Sequence, residues 1–251
     1  MELVIVADLE GMSGVAERAW CDPAHPEYAR ALDQYAEDVR AVSQAARAFG
    51  IARIRLLDWH GRAIPPSLCT SDIEPALLPL DRNPRVAVLL GFHARGDAPR
   101  AFAPCTLLPG LSIEWEGRPA GELALVSRWL GEQGIPLLLV SGDRALTAEA
   151  ELWTDQTTAI AVKLAHSPDR AECLPPDRAR AALVDALQRV LARRSWWWVY
   201  RPSSPIDVTV SLPAGGQERL VASSMNELFV QLDTLVARAG GIPTLARLAS
   251  S

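Results

Sequence analysis

The strongest constraint on the fold is a recurrence: one apolar run after another ends in a side chain able to hold a metal ion. Leu3-Val4-Ile5-Val6-Ala7 runs into Asp8 and Glu10, and Ile54-Arg55-Leu56-Leu57 runs into Asp58 and His60. Val86 to Leu90 runs through Gly91 into His93, and Ile135 to Val140 runs into Asp143. Read as parallel strands, these runs bring their carboxyl ends to one edge of a sheet, the edge where open α/β folds carry their sites. Residues far apart in the chain would then converge in space.

The text between the runs supports that reading. Glu27 to Phe49 is rich in Ala, Leu, Val, Glu and Arg at helical spacing, and Gly50 suits the C′ position. Alternation of strand, helix and strand implies right-handed crossovers and an α/β fold, a mostly parallel sheet flanked by helices. Gly121-Glu122 opens a helix running to about Leu130, and Thr147 is the expected N-cap of a helix over 148–153. A short hairpin is expected around Ser112 to Trp115, and Asp177 to Arg194 reads as an amphipathic helix. Beyond it come Trp196-Trp197-Trp198, expected to pack at an inter-domain or subunit surface, the alternating strand Ile206 to Leu212, and a helix over Ser224 to Ala239. At 251 residues the chain suits one large domain with an appendage. The expected division is a metal-binding α/β domain over 1–160 and a smaller α+β domain over 161–251.

Composition narrows the function. A net charge of −5 offers no basic footprint for nucleic acid or an anionic membrane. No apolar run approaches the ~20 residues that span a bilayer. The opening Met-Glu-Leu-Val-Ile-Val has no basic region and goes straight into a strand, so a cytoplasmic location is expected. Cys21, Cys69, Cys105 and Cys173 are scattered and read as reduced thiols. Gly11-Met12-Ser13-Gly14 lacks the spacing of a dinucleotide-binding turn.

Of the 25 basic residues, 24 are Arg and one is Lys163. So strong a bias leaves two readings of the exception: a random survivor on the surface, or a position that needs a compact, titratable ammonium. Lys163 ends the strand-like run Thr158 to Val162 and would reach the same sheet edge.

Asp8, Glu10, His60 and His93, with Glu122 from the Gly-Glu-Leu helix start, make three carboxylates and two imidazoles. That inventory suits two divalent ions such as Zn²⁺, Mn²⁺ or Co²⁺, one carboxylate bridging both. A pair ~3.5–4 Å apart can activate water and polarise a carbonyl together, which is hydrolytic chemistry. Each residue taken alone has a plainer reading. Asp8 and Glu10 could cap a turn, His60 could be a bonded loop residue, His93 a core residue, and Glu122 a carboxylate favoured by the helix dipole. The joint plain reading is weaker, because all five occupy places from which one site would draw them. His25 and His166, close to prolines in polar loops, read as structural.

These residues carry a family resemblance. Asp8-Leu9-Glu10-Gly11-Met12-Ser13-Gly14 resembles the N-terminal signature of the DppA-type D-aminopeptidases, the M55 metallopeptidases. Asp58-Trp59-His60, Gly91-Phe92-His93-Ala94-Arg95 and Arg118-Pro119-Ala120-Gly121-Glu122-Leu123 follow in the family's order, and Ser141-Gly142-Asp143 and Ala161-Val162-Lys163 extend the likeness. The resemblance implies a two-domain protomer in a ring-like homo-oligomer, a decamer. It implies two zinc ions per subunit held by Asp8, Glu10, His60, His93 and Glu122, with Asp8 the bridge. It also implies hydrolysis of a peptide or amide bond next to a free N-terminal D-amino acid, the substrate being a short peptide or aminoacyl amide. Arg95 and Asp58 are the expected substrate contacts, and Glu122, Cys105 and Lys163 the expected catalytic groups.

The sequence departs from the family at one place. A catalytic histidine lies eleven residues after the Gly-x-His-Ala-Arg histidine in this family, and here that position is Pro104, followed by Cys105. Proline carries no side-chain proton or lone pair. Leu57 also replaces the family's small polar residue before Asp58. Two readings follow. One is a dizinc amidohydrolase of altered mechanism, with Glu122 or Glu10 assisting and Cys105 a possible substitute if its thiolate is stabilised. The other is a binding or scaffold protein that keeps the fold and the metals without turnover.

Overall fold

The structure, a computed structural model, describes residues 1–61, 63–68, 73–75 and 85–245. Cys69 lies outside these residues. A seven-stranded sheet has the order β3-β2-β1-β4-β7-β8-β9. Its strands are β1 (Glu2–Ala7), β2 (Arg53–Asp58), β3 (Ile73–Pro75), β4 (Arg85–Phe92), β7 (Leu137–Asp143), β8 (Thr158–Ser167) and β9 (Arg170–Cys173). All neighbours pair in parallel except the edge strand β9, which runs antiparallel to β8.

β1, β4 and β7 are buried almost throughout, as the unbroken apolar runs predict for parallel strands covered on both faces. Alternate side chains feed two cores. Val4, Val6, Ala87 and Leu89 point into one, while Leu3, Ile5, Val86, Val88 and Leu90 point into the other. Each of these Val, Leu and Ile side chains contributes about 1.5–3 kcal/mol when taken out of water.

The second core lies under α1 (Tyr28–Ala48) and α4 (Pro176–Ala192), which pack on each other. Ala31, Tyr35, Val39, Val42 and Ala46 form the inward stripe of α1 at helical spacing. That helix stops where expected. Gly50 has φ +92°, its N–H donates to Arg47 O, and the Ile51 N–H donates to Ala46 O, a Schellman closure.

The first core is covered by α2 (Glu122–Glu132), α3 (Arg144–Trp153), α5 (Met225–Arg238) and a second sheet, ordered β11-β10-β5-β6. That antiparallel sheet joins the hairpin β5 (Ser112–Trp115) and β6 (Arg118–Ala120) to β10 (Ile206–Ser211) and β11 (Gln217–Ala222). The boundary expected between residues 160 and 161 therefore falls inside β8. The smaller layer borrows its first hairpin from the middle of the chain, while β8, β9 and α4 complete the large one. Pairing Trp115 with Val208 buries both, and no local pattern in the sequence announces so distant a partner.

One cap differs from expectation. α3 starts at Arg144, and Asp143 is its N-cap, its Oδ1 accepting from the Leu146 N–H at 2.8 Å. Thr147 lies inside the helix and donates its hydroxyl to Arg144 O. A carboxylate at the strand end thus starts the helix one turn earlier. In the tryptophan run, the Trp197 indole donates to Val190 O and packs on the second core, while Trp198 is more than half exposed. No helix among the described residues is long and apolar enough to cross a membrane.

Candidate metal centre

β1 is followed in sequence by β2 and then β3 on one side, after which the chain crosses to β4 on the other. The strand order reverses at the β1/β4 boundary, the crevice where open sheets bind ligands. Ala7 is level with Asp58 of β2 and Leu90 of β4, so the segments after these three strands leave the sheet at one height.

Two glycines let the β1 and β4 exits cross. A Cβ on Gly11 would stand 2.1 Å from Phe92 O, and one on Gly91 would stand 2.3 Å from Asp8 O. Gly91 also has φ +69°, which favours glycine. Backbone bonds from Asp8 N to Leu90 O at 2.8 Å and from Gly11 N to Gly91 O at 2.7 Å hold the crossing. The β2 exit is turned by Asp58, whose two oxygens accept from the N–H groups of Gly61 and Ala63. Asp58 thus shapes the loop that presents His60.

Asp8 lies between the two histidines. Its Oδ1 is 3.4 Å from His60 Nδ1 and its Oδ2 is 3.4 Å from His93 Nε2. Glu10 Oε2 is 3.0 Å from His60 Nδ1, and Glu122 Oε1 is 3.7 Å from His93 Nε2. The result is two triads, Asp8-Glu10-His60 and Asp8-His93-Glu122, with ligand atoms in each within 4.8 Å of one another. Only Asp8 belongs to both. Its Oδ2 is buried with no hydrogen-bond partner among the described residues. His93 Nδ1 lies 3.1 Å from Ala94 O, and when protonated it donates there, leaving the Nε2 lone pair for the cluster.

The electrostatics call for positive charge at this place. Burial, then the Glu10 charge, push the Asp8 carboxyl up to about 7. Burial works to raise Glu10 too, but the charge and hydrogen bond of His60 reverse it and hold that carboxyl far below the usual range. Burial works to lower both imidazoles, yet Glu10 and Asp8 raise His60 to about 12, and Glu122 and Asp8 raise His93 to about 9. Two buried carboxylates, Asp8 and Glu122, and the half-buried Glu10 stabilise cations around the two imidazoles, and an orphaned buried oxygen faces the shared position. The donor set of oxygens and imidazole nitrogens fits borderline divalent ions such as zinc, so the residues fit the group the sequence implied.

All five expected ligands therefore converge. Of the other expected site residues, Arg95 pairs through Nε with Asp97 at 2.8 Å, and its N–H donates to buried Glu149. Cys105 donates its N–H to Ala94 O beside His93, and burial, then the Glu122 charge, push its thiol up to about 12. That environment opposes a thiolate. Lys163 is buried, its ammonium donating to Glu10 O at 2.7 Å and Val15 O at 2.5 Å. Burial draws it down to about 8. His25 and His166 lie outside the cluster: the His25 ring accepts from the Glu27 N–H, and His166 pairs with Glu172.

The sequence reading missed two supports. The Trp59 indole N–H donates to Glu122 Oε2 while the Leu107 N–H donates to Oε1 at 2.8 Å, so this carboxylate of the cluster is gripped on both oxygens. Asp38 of α1 accepts the N–H and hydroxyl of Ser13 in the loop after β1. Asp38 was visible only as a carboxylate on an otherwise apolar helix face.

The peptidase M55 family model, described as D-aminopeptidase, matches residues 1–226. The D-aminopeptidase of Bacillus subtilis strain 168 is 28% identical over 196 residues, covering 74% of this chain and 72% of its own length. A solved structure, described as a Zn-dependent D-aminopeptidase DppA from Bacillus subtilis and a self-compartmentalizing protease, superposes with a TM-score of 0.86. It is 20% identical, and the match covers 96% of this chain and 98% of that one.

Proposed function

The chain belongs to the peptidase M55 family of D-aminopeptidases, and on that premise we propose that it is a dinuclear zinc hydrolase. It would cleave the peptide or amide bond next to a free N-terminal D-amino acid, on short peptides or aminoacyl amides. The observation that carries this reading is Asp8, 3.4 Å from each of two imidazoles and common to two three-ligand clusters.

Asp8, Glu10 and His60 would hold one cation, and Asp8, His93 and Glu122 the other. Bound there, the pair supplies Lewis acidity to the scissile carbonyl and lowers the pKa of a water. The chain's own residues do the rest. Glu122 is gripped on both oxygens by Trp59 and Leu107, so it is the fixed carboxylate. Glu10 is the more exposed of the two and the better placed to accept a hydrogen bond from the attacking water. Arg95 would meet negative charge on the far side of the scissile bond. No thiolate is invoked, since Cys105 is held protonated.

The exposed Leu152, Leu164, Leu174, Trp198, Val221 and Val230 are apolar surface suited to subunit contacts. With the neighbour's self-compartmentalizing description, they support self-association, and the assembly proposed is a ring-like decamer working in the cytoplasm. Pro104 favours the second reading, a non-catalytic metal-binding member. Zinc-loaded protein incubated with D-Ala amide separates the two. The proposal expects release of free D-Ala that is abolished in Asp8→Ala. Two bound zinc ions with no hydrolysis of D- or L-aminoacyl amides would make it a scaffold.

A further inference from the structure

The β1 loop carries two of the five ligands, and its shape is imposed from outside. Asp8 N and Gly11 N are tied to β4, and Ser13 is tied to Asp38 of α1. Between them, the carbonyls of Glu10 and Val15 both turn toward β8 and meet one group, the Lys163 ammonium, at 2.7 and 2.5 Å. The Phe102 ring centroid lies 4.7 Å from the same nitrogen. Phe102 is itself fixed, because its N–H donates to Asp143 Oδ2 at 2.8 Å, and Asp143 is paired in register with Lys163.

An ammonium has three donors and no acceptor. Two are spent on main-chain carbonyls and the third direction faces an aromatic ring, so nothing is left for a substrate. The group is also sealed from solvent. A guanidinium would bring five planar donors into a seat with two acceptors and a ring face. That mismatch accounts for the single Lys in a chain whose other 24 basic residues are Arg.

We propose that Lys163 is a positioning residue, which holds the Glu10 main chain so that the Glu10 carboxylate meets His60. It acts on the Asp8-Glu10-His60 triad and leaves Asp8-His93-Glu122 alone. This inference rests on the dinuclear reading. It predicts a defect in one cation site.

The test is zinc competition against a chromophoric chelator on cation-free wild type, Lys163→Met, Glu10→Ala and the double variant, with visible spectra of the Co²⁺-loaded forms. Wild type should hold two ions. Lys163→Met should weaken one by between about ten- and a hundredfold, leave the other unchanged, and alter the Co²⁺ bands of that site. The double variant should bind as Glu10→Ala does, because the two changes disable the same ligand. Lys163→Arg should resemble Lys163→Met. If Lys163→Met does not fold, Phe102→Leu keeps the ammonium, loosens its seat, and should weaken the same site in the same cycle. Lys163→Met or Phe102→Leu binding both ions like wild type, or losses that add in the double variant, would overturn the inference while leaving the dinuclear reading intact. Wild type that takes up no ion would overturn both.

Discussion

The Trp59 indole N–H donates to Glu122 Oε2, joining the loop after β2 to the first residue of α2 across 63 positions of sequence. The same indole stacks on Phe92, with ring centroids 6.0 Å apart. Trp59 thus carries an apolar task and a polar one, and they can be separated. Trp59→Phe keeps much of the stacking and removes the donor. Loss of a partner behind a metal ligand should lower kcat or zinc affinity by about ten- to a hundredfold, with the thermal midpoint little changed. Measured kcat and zinc affinity both equal to wild type would show that the bond does not orient Glu122.

The grip of Asp38 on Ser13 predicts a pH dependence of stability. Burial pushes the Asp38 carboxyl up to about 6, against the pull of Ser13 and Arg180. A folded-state value above the unfolded one means the stabilisation is complete at pH below about 4 and is lost as pH rises through about 6. Asp38→Asn can keep both Ser13 contacts and does not titrate. Its stability relative to wild type should therefore increase from pH 4.5 to 7.5 by on the order of 2 kcal/mol. Urea unfolding of the cation-free proteins across that range measures it, and a constant difference would contradict the assignment.

The Gly91 crossing is expected to tolerate no side chain. Gly91→Ala places a methyl group 2.3 Å from Asp8 O at φ +69°. The backbone strain costs about 1–3 kcal/mol and the overlap a similar amount. Denaturant unfolding should show that loss together with weakened zinc binding, since relief of the clash moves Asp8 away from His93. A variant as stable as wild type would mean that the two exits do not cross as described.

Cys105 follows Pro104, the position at which the family resemblance implies a histidine, and its thiol is held protonated. Cys105→Ala should leave kcat within about fivefold, less than the ~10²–10⁴-fold expected of a general acid, base or nucleophile. A loss of that larger size would return the thiol to the mechanism.

Much of this architecture was legible in the chain. Each ligand stands at the end of an apolar run or at a helix start, and strands of period two with helices of period 3.6 place such ends on one edge. The supports behind the ligands were not legible. Asp38 reaches Ser13, and Lys163 reaches Glu10, only through the packing of α1 and β8 around the loop after β1, which no local pattern encodes. The division expected at residue 160 runs through β8 for a related reason. β5 and β6 look like an irregular excursion until β10, nearly a hundred residues later, supplies the strand they pair with. The early start of α3 was readable in principle, since Asp143 closes a strand and precedes a helical stretch, but Thr147 offered a competing cap.

On the dinuclear reading, Asp8 lies between two cations. Anomalous diffraction at the zinc edge, from crystals of the zinc-loaded protein, tests it most directly. The account predicts two peaks ~3.5–4 Å apart, one beside His60 and one beside His93, with an Asp8 oxygen at each. A single peak, or two peaks that Asp8 does not touch, would contradict it.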